Sequence, residues 1–477
     1  MASPQYGVPM RANFIVGMLA LSPALCGAAE LNGGGLSILW GIPFAGLLLS
    51  IALCPLLTPG FWHHHFGKLT LAWSLAFLLP CAYFFGASTA VHGAVHAFVA
   101  EFLPFLILIT SLFVVAGGIC VRGNLHGTPA LNTGLLAIGT VLASFMGTTG
   151  AAMLLIRPLI RANDNRKHGA HIVVFFIFLV ANAGGALTPL GDPPLFLGFL
   201  KGVDFFWTVR HLFAPTLFIC VALLIIFYVL DSHYYHKREE VKPPELDPTP
   251  DSAIRFEGKI NFVLLGIIVA MVLMSGFWKP GISYVFVGNT IELQNLLRDV
   301  ALIAVVFLSL AVTPKTARSG NEFSWGPIQE VGKLFAGIFI TIIPVIAMLR
   351  AGESGAFSAI VRAVTDGNGQ PINAMYFWAT GLLSSFLDNA PTYLVFFNTA
   401  GGDAATLMTT LAGTLAAISC GAVFMGANSY IGNAPNMMVK AIAEERGIKM
   451  PSFFGYMAWS CAILIPLFVL MTFIFFT

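Results

Sequence analysis

The chain has 477 residues, of which 57% are hydrophobic and only 10% charged, and its mean hydropathy is +0.84. So little polar surface excludes a water-exposed globule and points to a bilayer. The net charge of +2, with no basic stripe, gives no reason to invoke nucleic acid. The seven cysteines stand singly in apolar segments, which implies no disulfide or metal framework.

In chain order, Arg11 precedes an apolar run from Phe14 to Leu25 that ends in the small-residue stretch Cys26-Gly27-Ala28-Ala29-Glu30. This reads as a signal peptide over residues 1–29; the other reading is a first transmembrane helix, for which the run is short against the roughly 20 residues a span needs. Spans are expected near 36–58, 68–86 and 101–121. The first two are separated by a turn at Pro59-Gly60 carrying His63, His64 and His65. Those histidines have no carboxylate or cysteine partner nearby, so solvation in a short interfacial loop is expected rather than a metal site.

An apolar segment from Pro129 to Phe145 then runs into Gly147-Thr148-Thr149-Gly150, and only a short apolar limb separates this from Arg157 and the basic loop that follows. The return limb is too short to cross, which predicts a re-entrant hairpin with a polar tip inside the protein. Next comes Asn182-Ala-Gly-Gly-Ala-Leu-Thr188-Pro-Leu-Gly-Asp192-Pro-Pro in the middle of a span running from Val173 to Leu200. Glycine and proline clustered there break the helix and free backbone groups that a bilayer tolerates only beside protein or a water-filled cavity.

Both features recur with an offset of 241 residues. Ser385-Phe-Leu-Asp388-Asn389-Ala390 falls on Ser144-Phe-Met-Gly147-Thr148-Thr149, and Gly426-Ala-Asn428-Ser429-Tyr-Ile-Gly-Asn433-Ala-Pro435 falls on the broken span. The second hairpin runs from Ile372 to Gly401 and the second broken span from Leu407 to Ala443. Remaining spans are expected near 212–230, 260–278, 297–313, 332–349 and 453–476. The fold predicted is an all-α polytopic membrane protein of two repeats, 36–231 and 260–477, joined by a hydrophilic linker at 232–259. Each repeat has three spans, a hairpin, a broken helix and a final span.

Lys and Arg gather at 157–167, 237–259, 315–318 and 440–449, which the positive-inside rule assigns to the cytoplasm. Counting spans then makes the first hairpin open to the cytoplasm and the second outward. The repeats are inverted, an arrangement that puts a transport site near the midplane where broken helices meet.

The candidate site residues are Asp192 and Asp388, surrounded by Thr148, Thr149, Asn182, Thr188, Ser385, Asn389, Asn428, Ser429 and Asn433. Hydroxyls, amide oxygens and freed carbonyls are hard donors suited to Na⁺, and Asp388 with Asn389 is the expected Na⁺-binding pair. A buried carboxylate has to be neutralised by a cation or a proton, so the two compete for it, and that competition is sufficient for antiport. Asp192 either titrates or braces the broken helix as an N-cap before Pro193. Arg157 could take an anionic substrate or snorkel to the interface. No nucleophile, base and orienter cluster together, so an enzyme is not expected and no cofactor is implied beyond the transported Na⁺ and H⁺.

The two motifs, Asn182 to Asp192 and Ser385-Phe-Leu-Asp388-Asn389-Ala-Pro391, resemble the signatures of NhaD-type sodium/proton antiporters in the ion transporter superfamily, which also holds arsenite permeases and citrate and dicarboxylate transporters. The resemblance spans residues 36–476 and implies a homodimer in which hairpins and broken helices move against a scaffold. Pro193-Pro194 departs from the antiporter pattern toward the melanosomal P-protein branch, and the tips lack the Ser-Asn-Thr signature of sodium-coupled carboxylate carriers. The reading that follows is an Na⁺(Li⁺)/H⁺ antiporter of the bacterial inner membrane, working by alternating access. The alternative is an Na⁺- or H⁺-coupled carrier of citrate or another small organic anion.

Overall fold

The computed structural model describes residues 31–237, 252–286 and 288–477. The expected signal peptide and half of the linker, residues 238–251, lie outside them. Among the described residues, nine helices are long and apolar enough to cross a membrane, and a bent pair makes a tenth.

The first three are α1 (Ile42–Leu57), α2 (Pro59–Phe85) and α3 (Ala87–Ala116). Only Thr58 separates α1 from α2, because Pro59 both ends one helix and starts the next, where its missing N–H costs nothing. His63, His64 and His65 therefore lie in the first turns of α2 and not in a loop. His64 and His65 bond back to the carbonyls of Gly60 and Phe61, at 2.9 and 3.2 Å. Helix α3 begins at Ala87 rather than near residue 101, since the small and polar stretch Ala87 to His96 is helical despite its low hydropathy. A π-helical turn, Ala97–Phe102, interrupts it.

The first hairpin is α4 (Pro129–Met146) and α5 (Thr148–Ala162), which meet at Gly147 and pack on one another. The broken span follows as α6 (Ala170–Leu179), a 3-10 turn at Ala183–Leu187 and α7 (Pro193–Leu200). A long helix, α8 (Phe205–Lys237), ends this half. The second half runs through α9 (Ile260–Phe277), α10 (Leu293–Val312) and the pair α11 (Gly326–Thr341) and α12 (Ile343–Arg350), bent by 42° with Pro344 at the joint. Its hairpin is α13 (Asn373–Phe386) and α14 (Asn389–Thr399). Its broken span is α15 (Ala412–Met425), a 3-10 turn at Gly426–Asn428 and α16 (Ala434–Glu445), and α17 (Phe453–Phe475) closes the chain. The expected start of this broken span at Leu407 is taken up by a separate short helix, Ala404–Met408.

Two strand pairs were not anticipated. The strand β1 (Cys120–Asn124) pairs antiparallel with β2 (Ser252–Glu257), so the end of the hydrophilic linker is an ordered strand held to the loop before the first hairpin. Between α9 and α10, β3 (Ser283–Phe286) pairs with β4 (Asn289–Glu292) across a turn at Gly288.

Burial separates an inner layer from an outer one. The apolar window of the first broken span is 89% buried, against 22% for α2 and α10. Every residue of α15 from Thr414 to Met425 is buried as well. The outer helices instead turn large apolar side chains outward, among them Tyr83, Phe307 and Phe473, as lipid contact requires.

Candidate functional site

In the inner layer the broken helices leave carbonyls and amides without helical partners, and in an apolar interior each unpaired group costs several kcal/mol, on the order of 2–7. Hydroxyl and amide side chains supply the missing bonds. In the first half Thr188 Oγ1 donates to the Ser144 carbonyl, Leu190 N donates back to Thr188 Oγ1 at 3.1 Å, and Ser144 Oγ donates to the Gly184 carbonyl at 2.5 Å. The first two bonds have their twins in the second half, and the third is shared there with the hydroxyl's own helix. Ser429 Oγ donates to the Ser385 carbonyl at 2.5 Å and Ile431 N to Ser429 Oγ at 3.2 Å, while Ser385 Oγ shares its proton between the Gly381 carbonyl at 2.8 Å and the Met425 carbonyl at 3.2 Å. A β-carbon on Gly191 would meet the Gly185 carbonyl oxygen at 2.2 Å, and one on Gly432 would meet that of Gly426 at 2.5 Å, so both breaks need glycine for close backbone approach.

The twin residues Asp192 and Asn433, 241 positions apart, touch: Asn433 Nδ2 donates to Asp192 Oδ1 at 3.3 Å. Thr148 Oγ1, from the first tip, donates to the same oxygen at 3.0 Å, and Asn389 Nδ2, from the second tip, donates to Asp192 Oδ2 at 2.5 Å. Both tips and the second break thus converge on one carboxylate that is 2% exposed.

The bracing role considered for Asp192 is not what the geometry shows. Asp192 stands at the N-cap of α7 but its side chain makes no capping bond. Pro193 and Pro194 have no N–H to offer, and the first available amide, Leu195 N, bonds to the Asp192 backbone carbonyl at 3.1 Å. The carboxylate is left to the hairpin tips. Capping belongs instead to Asp388, whose Oδ1 accepts from Ala390 N at 3.0 Å at the start of α14. Its other oxygen has no partner among the described residues.

Asp192 and Asp388 line a cavity of about 130 Å³ together with Thr148, Thr149 and Asn433. Its remaining walls include Phe105, Leu108 and Leu112 of α3 and Val331 and Phe335 of α11, and no Lys, Arg or His is among the lining residues. Asn389 reaches Asp192 from behind the wall. The other expected residues serve the frame: Thr188, Ser385 and Ser429 hold broken backbone, and Asn428 Nδ2 donates to Ser385 Oγ at 2.9 Å. Asn182 donates to the Ile177 carbonyl at 2.8 Å and to Asn436 Oδ1 at 2.7 Å. Two buried acceptors, Asn389 Oδ1 and Asn428 Oδ1, have no hydrogen-bond partner among the described residues. Such orphans suit a cation.

Sequence reasoning missed Asn436, which donates to the carbonyls of Gly426 and Ser429, both at 2.9 Å. Its signal was present, since it follows Asn433 by one helical turn. The apolar walls carried no signal, because Phe and Leu facing a cavity read like Phe and Leu facing lipid. Arg157 neither lines the cavity nor snorkels free: it pairs with Glu322 at 2.8 Å, and Glu322 also takes Arg446 at 2.6 Å.

A search of curated proteins returned no match. A family described as "Putative citrate transport" has a model that matches residues 33–476, covering α1 through α17 with both hairpins and both breaks, and the chain belongs to that family, within the ion transporter and citrate transporter superfamily.

Proposed function

We propose that this multi-pass membrane protein is a secondary active transporter that exchanges Na⁺ or Li⁺ for H⁺ by alternating access, in the bacterial inner membrane. The observation that carries the proposal is the sign of the cavity: two carboxylates, two hydroxyls and an amide line it, and no cationic side chain. A multiply charged anion entering such a space meets like charge in a low-dielectric surrounding, whereas a dehydrated cation meets oxygen ligands.

Asp192, held by three donors, is the anchored carboxylate. Asp388 keeps one oxygen free and is the group that trades cation for proton, with Asn389 Oδ1 as a second Na⁺ ligand. Each crossing then requires Asp388 to be neutralised by one or the other. The two halves act as inverted repeats, with hairpins and broken helices moving as a unit against the outer helices of a homodimer.

The second reading, transport of citrate or a related organic anion coupled to Na⁺ or H⁺, is favoured by the family's description. In that case Asp388 is a coupling-ion ligand. Everted vesicles with a preformed proton gradient separate the two. Dissipation by NaCl or LiCl, lost in Asp388→Asn, is the expected result. No response to either chloride, with uptake of labelled citrate instead, moves the protein to the anion reading.

A further inference from the structure

The hairpins and broken spans are tied to the helices around them by polar contacts at both of their ends, and those contacts follow the duplication. At one end Arg157, on the return limb of the first hairpin, and Arg446, just past α16, both bond Glu322 in the segment between α10 and α11, at 2.8 and 2.6 Å. The twin of Arg157, 241 positions on, is Asn398 on the return limb of the second hairpin, which accepts from Arg350 Nε at the end of α12 at 2.8 Å. Lining the same cavity as Arg350, Lys201 lies just past α7 and is ion-paired with Glu101 in the π-helical turn of α3. Each end thus holds one hairpin and one broken span, taken from different repeats.

The two sets face opposite sides of the membrane. Arg157 and Arg446 belong to the basic segments that the positive-inside rule puts in the cytoplasm. Lys201 precedes α8, whose 33 residues run about 50 Å before Lys237 reaches the cytoplasmic linker. Under each set an apolar layer covers the acidic cavity. Phe113, Ile328 and Met438 line that cavity and pack with Met153 and Phe323, the Phe113 and Phe323 rings lying 5.3 Å apart. On the other side Phe105 stacks on Phe335 at 4.6 Å and meets Phe339 at 5.9 Å, and Phe339 faces a cavity of about 510 Å³ lined by Glu101, Lys201 and Arg350.

Two features mark the cytoplasmic set as made to break. Glu322 is the only non-glycine residue with a positive φ, +51°, among the described residues, and such strain persists where the surroundings hold it and collects at switches. The Arg157 side chain is 9% exposed, yet its Nε and Nη1 have no partner among the described residues. A guanidinium buried for stability alone would spend those donors, whereas one beside an opening path exchanges its single ion pair for water at little loss.

We propose that the two sets are alternating latches on the cavity of Asp192 and Asp388. Release of Glu322 opens the cavity to the cytoplasm, release of Glu101 and Arg350 opens it outward, and with both sets made the cavity is occluded. This rests on the alternating-access reading of the function and not on which solute crosses.

The test is sided labelling. Thr149→Cys puts a reporter thiol on the cavity wall, and the seven native cysteines set a background measured on the parent chain. A membrane-impermeant cationic methanethiosulfonate is added without any ion gradient to everted vesicles, which expose the cytoplasmic face, and to right-side-out vesicles. Glu322→Gln is expected to speed labelling about fivefold in everted vesicles, the population shift that one screened ion pair is worth, and to leave right-side-out vesicles unchanged. Glu101→Gln is expected to do the reverse by a larger factor, because Glu101 and Lys201 are 15% and 20% exposed against 44% for Glu322 and Arg446. If Glu101→Gln does not elute as a single species in detergent, Lys201→Gln tests the same side. Ion pairs that only stabilise the fold predict a lower unfolding temperature with no change of sidedness, and that result overturns the proposal. So does acceleration from both sides alike, or from the wrong side. Sided labelling in a chain that exchanges no Na⁺ for H⁺ upholds the latches and overturns the solute; exchange without sided labelling does the opposite.

Discussion

At the first hairpin tip the backbone turns at Gly147 with φ +80°, and the residues that follow are two threonines. At the second, the twin position is Asp388 with φ −55°, and its side chain caps the next helix. Behind these tips the bonds of Ser144, Thr188 and Leu190 are repeated by Ser385, Ser429 and Ile431. The frame is the same because an unpaired carbonyl in a membrane interior costs as much in either half. The tips differ because they face a cavity, where a polar group can be answered by solvent or by a bound ion. Function has room to diverge only there.

Removing the difference should have the largest effect. Asp388→Gly makes the second tip as neutral as the first and is expected to lower Na⁺/H⁺ exchange in vesicles by on the order of a hundredfold, with the protein still folded, as the ion-carrying role proposed for Asp388 requires. Retention of near-normal exchange would sink the assignment of Asp388.

The backbone difference is tested next. Gly147→Ala puts a side chain at a left-handed φ, although nothing lies closer to its β-carbon than the Leu190 carbonyl at 3.5 Å. The cost is therefore conformational, about 1–2 kcal/mol, and should appear as a lowered unfolding temperature in detergent. Asp388→Ala, with φ negative, should show no such penalty beyond its lost cap of about 1 kcal/mol.

The similarity of the frames has its own test. Ser144→Ala leaves the Gly184 carbonyl without its hydroxyl donor and should cost about 1–2 kcal/mol, and Ser385→Ala, which also strips Asn428 Nδ2 of its acceptor, should cost at least as much. Losses in both halves support a common frame. A loss confined to one half would mean that the other bond is incidental.

The same contrast explains what could be read from the sequence. Breaks and tips were legible because glycine, proline and asparagine inside apolar runs have few structural uses, and the duplication located them twice. The assignment of roles was not legible. The sequence leaves Asp192 open between titrating and bracing the broken helix, and Pro193 and Pro194 offer its side chain no amide, while Asp388, expected to bind Na⁺, also caps a helix through Ala390 N. Pro59 reads as a turn because proline ends helices, but it also starts them, which places three histidines on α2. The strand β2 sits in a segment whose charge suggested only a linker, and its pairing with β1 is a contact between positions far apart in the chain. Cavity walls on α3 and α11 are invisible to hydropathy for the reason that lipid and cavity ask for the same side chains.

The smallest expected effect concerns the rim, where Glu322 joins α5 of the first hairpin to α16 of the second broken span. Arg157 and then Arg446 hold the Glu322 carboxyl below its ordinary range, by hydrogen bonding first and by charge second. A depressed value means that the stabilisation is present above the ordinary carboxylate range and is lost as pH falls through the lower folded value. Glu322 is 44% exposed at its side chain, so screening limits the worth of the clamp to at most ~1 kcal/mol. Thermal unfolding followed from about pH 6 down to about pH 3 should therefore lose slightly less stability in Glu322→Gln than in the parent chain, the gap opening only below about pH 4.5. A larger gap, or one that opens near neutral pH, would show that the clamp couples the two halves more tightly than a solvent-screened ion pair can. The rim would then have to be counted with the tips as a place where the halves are held in register.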